Sequence, residues 1–270
     1  VAGRKNIIGC IGAGNMGAAV LARLSKSYDP KLILAYDIDA GKTDTLLREY
    51  GIGIASAPGE LARQSTVIVI AVKPDGVASV LESIRERVTP DKVIVSIAAG
   101  VALSSIEGIL GHAAKVVRVM PNMPALVGEG MSVISPNRNV EEHLLKEVEH
   151  VFAHIGKVLV LPEKLIDAVT GLSGSGPAYV FTFIQALADG GVKLGIPREA
   201  SLLLAAQTVF GSARYLLETG EDPITLRGKV ASPGGATIEG IYALERSGFS
   251  GIVMDAVEKA ALKSRKLGEK

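Results

Sequence analysis

Ile8-Gly9-Cys10-Ile11-Gly12-Ala13-Gly14-Asn15-Met16-Gly17 is an apolar run that breaks into glycines and resumes as Ala18-Ala19-Val20-Leu21-Ala22. The order reads as strand, tight turn, helix. Gly12 permits the turn, Gly14 lets the main chain approach a pyrophosphate, and Gly17 lets the new helix lie close to the strand. The phosphates then rest on the helix N-terminus, where Asn15 and Met16 stand and where unpaired N–H groups and the positive dipole end favour an anion. In a chain with 31 glycines a lone GxGxxG pattern is a weak signal. Here it follows an extended run at 6–11, opens a periodic helix and precedes a second strand at 31–36 that ends in Asp37. A phosphate-free tight turn would explain the glycines but not that context.

Working outward, a polar helix is expected at 41–50, a short extended piece at 52–55 and a one-turn helix started by Pro58. The strand at 66–72 contains the unbroken run Val67-Ile68-Val69-Ile70-Ala71-Val72, the signature of a strand covered on both faces. A helix at 75–88, a buried strand at 93–97, a short helix at 103–110 and a strand at 114–120 continue the alternation. Met120-Pro121-Asn122-Met123-Pro124 is expected to be an extended loop, because each proline disfavours helix in the residue before it. A strand at 131–135, an amphipathic helix at 140–154 and a last strand at 157–161 follow. From Glu163 the pattern is helix after helix: 165–172, 177–194, 198–218, 225–230, 237–246 and 251–267. The boundary is therefore placed near Pro162, between a doubly wound, Rossmann-type α/β domain at 1–162 and an all-helical domain at 163–270.

With 29 Lys plus Arg against 28 Asp plus Glu and no long like-charge run, the chain has no electrostatic footprint for nucleic acid or an anionic membrane. The apolar segment 177–196 carries Gln185, Asp189 and Lys193 and a Gly190-Gly191 pair, so it reads as a buried or interfacial helix rather than a membrane span. Cys10 is the only cysteine, which excludes an internal disulfide and fits a small buried hydrophobe in a reducing compartment. The apolar run at 7–11 is too short for a signal peptide, and a cytoplasmic protein is expected.

Open α/β sheets bind ligands beyond the carboxyl ends of their strands. Those ends here are the Gly12 turn, Asp37, Ala71-Val72-Lys73-Pro74, Ser96-Ile97-Ala98-Ala99-Gly100 and Met120-Pro121-Asn122. Ala98 and its small neighbours leave room for a flat ring, while Lys73 and Asn122 offer polar contacts. In the helical part, Leu172-Ser173-Gly174-Ser175-Gly176-Pro177-Ala178 reads as a small-residue loop running into a long apolar helix. Ser232-Pro233-Gly234-Gly235-Ala236-Thr237 is a similar loop. Such loops present consecutive N–H groups to an anion, and a plain helix cap with a flexible linker is the alternative.

These segments carry a resemblance. Ser173-Gly174-Ser175-Gly176-Pro177-Ala178-Tyr179, Ala188-Asp189-Gly190-Gly191-Val192-Lys193-Leu194-Gly195 and Ala231-Ser232-Pro233-Gly234-Gly235-Ala236-Thr237-Ile238 closely resemble the Δ1-pyrroline-5-carboxylate reductase family, as do the Gly12, Ala71, Ser96 and Arg118-Val119-Met120-Pro121-Asn122 segments in the same order. The match spans nearly the whole chain, and the Ser-Pro-Gly-Gly-Ala-Thr loop is its most specific part. The resemblance implies hydride transfer from NADPH or NADH to the C=N carbon of a five-membered cyclic imine, giving L-proline in the last step of proline biosynthesis. It implies a carboxylate cradle from Ser232, Gly234, Gly235, Ala236 and Thr237 with Ser175 nearby, and a catalytic hydrogen bond from Thr237 to the ring nitrogen. It implies cofactor contacts at Gly12, Gly14, Asn15, Met16, Gly17, Asp37, Ala71, Val72, Lys73, Pro74, Ala98 and Asn122. No nucleophile or metal is called for, in keeping with four scattered histidines, His112, His143, His150 and His154. One departure stands out. Family members often carry Ser, Thr, Asn or Arg after the second strand and favour the 2′-phosphorylated cofactor, whereas Tyr36-Asp37-Ile38-Asp39 puts a carboxylate where it would accept from a free ribose and repel a phosphate. Lys42 softens that repulsion.

A β-hydroxyacid dehydrogenase also joins such a nucleotide domain to a helical one but needs a lysine in the helix after the Ser/Gly loop, and Ala178-Tyr179-Val180-Phe181-Thr182-Phe183-Ile184 has none before Lys193. A non-catalytic nucleotide sensor would not need a second anion cradle. The helix at 177–196 is apolar around most of its circumference, and Leu202, Leu203, Leu204, Val209 and Phe210 exceed one stripe in the next. A homodimer through the helical domain is expected, with an active site formed between a nucleotide domain and helices of its own or a partner chain. The resemblance adds assembly of such dimers into rings.

Overall fold

The computed structural model describes residues 6–268. Strands and helices alternate as β1 Ile8–Ile11, α1 Asn15–Leu24, β2 Ile33–Tyr36, α2 Ala40–Tyr50, β3 Gly53–Ile54, α3 Pro58–Gln64, β4 Val67–Ile70, α4 Pro74–Ile84, β5 Val93–Ser96, α5 Leu103–Leu110, β6 Lys115–Met120, β7 Gly130–Pro136, α6 Glu142–Ala153 and β8 Gly156–Val160. Helices alone follow: α7 Ile166–Val169, α8 Gly176–Lys193, α9 Arg198–Thr219, α10 Pro223–Val230, α11 Ala236–Arg246 and α12 Phe249–Gly268. Each of the eight expected extended runs contains a strand. The chain divides into two compact units, one of Val1–Gly174 with Ala260–Lys270 and one of Ser175–Lys259.

The first unit is built on one eight-stranded sheet in the order β3-β2-β1-β4-β5-β6-β7-β8. The apolar strands split residue by residue between two cores, as a pleat with helices on both faces requires. Val67 and Val69 of β4 join the cluster containing Val20, Leu24 and Phe152, while Ile68 and Ile70 join the one containing Leu61, Leu81 and Ile106. Parallel pairing runs from β3 to β6, and β7 returns antiparallel to β6. The physical reason for that reversal is the connection: only a 3-10 turn, Met123–Val127, lies between β6 and β7, and a parallel return needs a longer crossover. That turn also corrects the expectation of an extended loop, because Pro124 takes an early helical position where its missing N–H has no bond to lose.

The compact units divide later than the change of pattern at Pro162. Ile166 and Val169 pack with Val133 of β7, Glu163 pairs with Arg118 of β6, and the Ser264 hydroxyl donates to Asp167 Oδ1 at 2.7 Å.

In the second unit α8 packs on α9, with the first turn of α9 seated tightly at Gly191. Tyr179 Oη donates to the Ala256 carbonyl, fixing α8 to α12. Only Ala188, Ser201 and Ala205 of this unit are buried. Leu203 is 70% exposed, Phe210 51% and Leu217 74%. A single copy therefore leaves most of the apolar surface of its own helices in water. No helix of the described residues is long and apolar enough to cross a membrane.

Candidate active site

The strand order reverses between β1 and β4, and the crevice there is where a doubly wound sheet takes a ligand. Ile11 is level with Tyr36 on one side and Ile70 on the other, so the glycine turn, Asp37 and Ala71 leave the sheet at the same edge. Gly12 has φ +104, and a Cβ on it would lie 2.6 Å from the Ala71 carbonyl oxygen, so neither the conformation nor the space admits a side chain. A Cβ at Gly17 would run into the Gly12 carbonyl oxygen. Gly14 differs: it caps α1 at φ −70 and ψ −176, and a Cβ there would meet no protein atom within 4 Å. Nothing in the protein requires glycine at Gly14, whereas a pyrophosphate drawn close to the main chain does. Asn15, Met16 and Gly17 form the first turn of α1, which carries no side-chain cap and no acidic residue. The residues fit a dinucleotide phosphate group.

Asp37 is the charged group at this edge. Its side chain is 9% exposed. Oδ2 accepts from the Ala13 N–H at 2.7 Å, Oδ1 accepts from the Asp39 N–H at 2.9 Å, and Lys42 Nζ lies 3.5 Å from Oδ1. Burial pushes the carboxyl pKa up, but the two N–H bonds and the Lys42 charge outweigh it and hold the group below the ordinary carboxylate value. Neighbouring Cys10 is fully buried, and desolvation, helped by the Asp37 charge, raises its thiol to about 12. It is an inert core residue.

Ala71 and Val72 follow β4, exposed Lys73 is the N-cap of α4, and Pro74 is its first residue. The Ala98 side chain is buried in the second apolar cluster. Asn122 spends its side chain on the main chain, accepting from the Met131 N–H at 2.8 Å and donating to the Ser173 carbonyl at 3.0 Å. The expected loop around Ser173 is instead helical. Residues Thr170–Gly174 form a π-helix, Ser175 is in the αR region, and α8 begins at Gly176. The Thr170 and Ser173 hydroxyls donate back to the carbonyls of Ile166 and Val169, and Gly174 sits against Met120, so these small residues serve a close-packed helical turn. The sequence reading also passed over Glu163, whose Oε1 accepts from the Leu103 N–H and from buried Arg118. Its signal was a lone arginine inside the apolar run of β6.

In the second unit the chain turns between α10 and α11 through Gly234, at φ +69, with the Gly235 N–H donating to the Ser232 carbonyl at 3.1 Å. Gly235 is the extended N-cap of α11, without a side-chain cap. The Ser232 hydroxyl lies where a Gly235 Cβ would be. Ala236 and half-buried Thr237 form the first turn, with Glu239 on the same turn. The first turn of α11 thus has main-chain N–H groups without a side-chain cap and two hydroxyls, those of Ser232 and Thr237, beside it.

A glycine turn at the switch point of a doubly wound sheet, followed by an all-helical part, defines an NAD(P)-dependent oxidoreductase. Residues 7–100 match the family model described as NADP oxidoreductase, coenzyme F420-dependent, and residues 163–267 match the model for pyrroline-5-carboxylate reductase dimerisation. Pyrroline-5-carboxylate reductase of Methanosarcina acetivorans is 43% identical over 265 residues, covering 97% of this chain and 98% of that protein. Among solved structures, a pyrroline-5-carboxylate reductase from Coxiella burnetii has a TM-score of 0.96 at 32% identity, covering 99% of this chain and all of that one. The Plasmodium falciparum enzyme with NADP bound has a TM-score of 0.86 at 36% identity, covering 98% of this chain and all of that one. The chain belongs to the pyrroline-5-carboxylate reductase family.

Proposed function

We propose that this chain reduces Δ1-pyrroline-5-carboxylate to L-proline, the reaction for which its relatives are named. The observation that carries the reading is the turn at 232–237, which delivers an uncapped helix N-terminus with Thr237 in its first turn. When bound, the reduced nicotinamide supplies the hydride that adds to the imine carbon. The main-chain N–H groups of Gly234, Ala236 and Thr237, with the Ser232 hydroxyl, hold the substrate carboxylate, while Gly235 keeps its own N–H on the Ser232 carbonyl and shapes the turn, and Ser175 at the head of α8 is a further polar contact. The Thr237 hydroxyl bonds the ring nitrogen as it becomes an amine. Hydride addition to a protonated imine gives the secondary amine directly, so positioning and electrostatics supply the rate enhancement and no nucleophile is needed.

On the cofactor side, Gly12, Gly14, Asn15, Met16 and Gly17 take the pyrophosphate, and Ala71, Val72, Lys73, Pro74, Ala98 and Asn122 form the rim along which the nicotinamide half lies. Asp37 accepts from the adenosine ribose and biases the enzyme toward NADH, with Lys42 moderating the repulsion of a 2′-phosphate. Both cofactors are accepted, and Asp37→Ser raises the ratio of kcat/KM for NADPH over NADH. The protein is a homodimer through its helical unit, able to assemble into a ring of dimers. It works in the cytoplasm, the compartment that suits reduced cofactors and a lone thiol. Cofactor oxidation in the presence of pyrroline-5-carboxylate, absent with a 2-keto acid, is the expected result. No imine-dependent oxidation of either cofactor would refute the assignment.

A further inference from the structure

We infer that Asp37 is a positioning residue for the glycine turn itself and not only a selector of the cofactor ribose, an inference that rests on reading that turn as the pyrophosphate site. The β1–β2 ladder ends with the Gly12 N–H donating to the Tyr36 carbonyl at 2.8 Å. One residue further on the chain leaves the sheet, and the Ala13 N–H has no strand carbonyl to meet. Asp37 Oδ2 takes that place at 2.7 Å. The carboxylate cannot swing freely, because Oδ1 is held by the Asp39 N–H and Lys42.

What this bond fixes is a peptide plane. The unit between Gly12 and Ala13 carries the Ala13 N–H at one end and the Gly12 carbonyl at the other, and peptide planarity makes the two turn together. That carbonyl is the atom against which Gly17 seats the first turn of α1. Rotating the plane would drive the oxygen into α1 or withdraw it, and the anion-facing amides at the head of α1 would move with it. A charge-assisted bond to a nearly buried carboxylate is strong enough to set that orientation before the cofactor arrives. One side chain thus couples ribose choice to the geometry of the phosphate site.

Two readings test this, one of them without cofactor. Amide exchange at Ala13 is measured in the cofactor-free protein, and dissociation constants are measured for NADH and for an NADH analogue whose adenosine ribose lacks both hydroxyls. In Asp37→Ser, Ala13 exchanges faster, and affinity for the analogue falls about tenfold, the scale of one hydrogen bond to a charged group. Asp37→Asn keeps an oxygen for the Ala13 N–H and lies between the serine variant and the wild type in both readings. Lys42→Ala, which leaves the Asp39 N–H on Oδ1 and the Ala13 N–H on Oδ2, speeds Ala13 exchange less than Asp37→Ser does. Unaltered Ala13 exchange in Asp37→Ser, or an analogue affinity equal to that of the wild type, overturns the inference and leaves Asp37 a ribose contact only. Should the serine variant not fold, the asparagine variant carries the same readings at smaller size, and its equality with the wild type is equally fatal. Failure of the wild type to bind any dinucleotide would instead refute the cofactor reading, while Ala13 exchange still decides whether the tether exists.

Discussion

Gly14→Ala separates a glycine kept for a ligand from glycines kept for the fold. The Gly14 backbone, at φ −70 and ψ −176, is open to any residue, and the added methyl meets no protein atom within 4 Å. Loss of glycine at an N-cap costs about 0.5–1 kcal/mol, and the reduced freedom of the unfolded chain returns about 0.4–1 kcal/mol. The net change in stability is therefore close to zero. Gly17→Ala is the contrast, because its methyl would drive into the Gly12 carbonyl oxygen with β1 and α1 already packed together. Relief needs a main-chain shift, and about 1–3 kcal/mol of destabilisation follows. For the cofactor the order reverses. The Gly14 methyl stands where the pyrophosphate has to approach, so the dissociation constant of NADH or NADPH rises about tenfold or more, equivalent to about 1.4 kcal/mol. Thermal melting of the free proteins and titration with each cofactor give both quantities. A Gly14→Ala protein that binds cofactor like the wild type, or that melts as early as Gly17→Ala, would show that the phosphates do not pass over Gly14.

Thr237→Ala removes one hydrogen bond to the reacting ring and lowers kcat/KM by about tenfold to a hundredfold, or about 1–3 kcal/mol, with melting nearly unchanged. An unaltered rate would take Thr237 out of the mechanism. Because the folded-state pKa of Asp37 lies below its ordinary value, its contribution to stability is complete above the unfolded-chain pKa and disappears as pH falls through the folded one. The melting difference between wild type and Asp37→Asn should hold steady near neutrality and shrink in the acid limb, and a difference that grows on acidification would contradict the sign. Phe210→Glu, on an exposed apolar stretch of α9, should dissociate the dimer and abolish activity together, as read by sedimentation and assay. A wild-type monomer that is stable and active at micromolar concentration would refute the assembly.

Much of the sheet was legible because its signals are local. The run from Val67 to Ile70 is buried on both faces, and Gly12 marks a turn where the chain takes a positive φ. The elements misread are those set by distant partners. Ser173, Gly174 and Ser175 have the composition of a loop, yet they lie in or beside a π-helical turn whose Ser173 carbonyl is met by Asn122, 51 residues earlier. The helix at Pro58 is the exception, misread for a local reason: expected to be one turn, it runs to Gln64, its entry fixed by the Glu60 carboxylate accepting from the Ser56 N–H and hydroxyl four residues earlier. Asp37 stood out as an acid by its place after β2. Its bond to Ala13, 24 residues earlier, was not, because main-chain N–H groups leave no trace in residue type.

The proposed reaction requires a helix N-terminus that holds a carboxylate beside a reducible imine. Its most direct test is kcat/KM for Δ1-pyrroline-5-carboxylate against Δ1-pyrroline, which offers the same imine without the carboxylate. Two or more charge-assisted bonds from the turn at 232–237 predict a preference on the order of a hundredfold or greater for the carboxylated substrate. Equal efficiency with the two imines would contradict it.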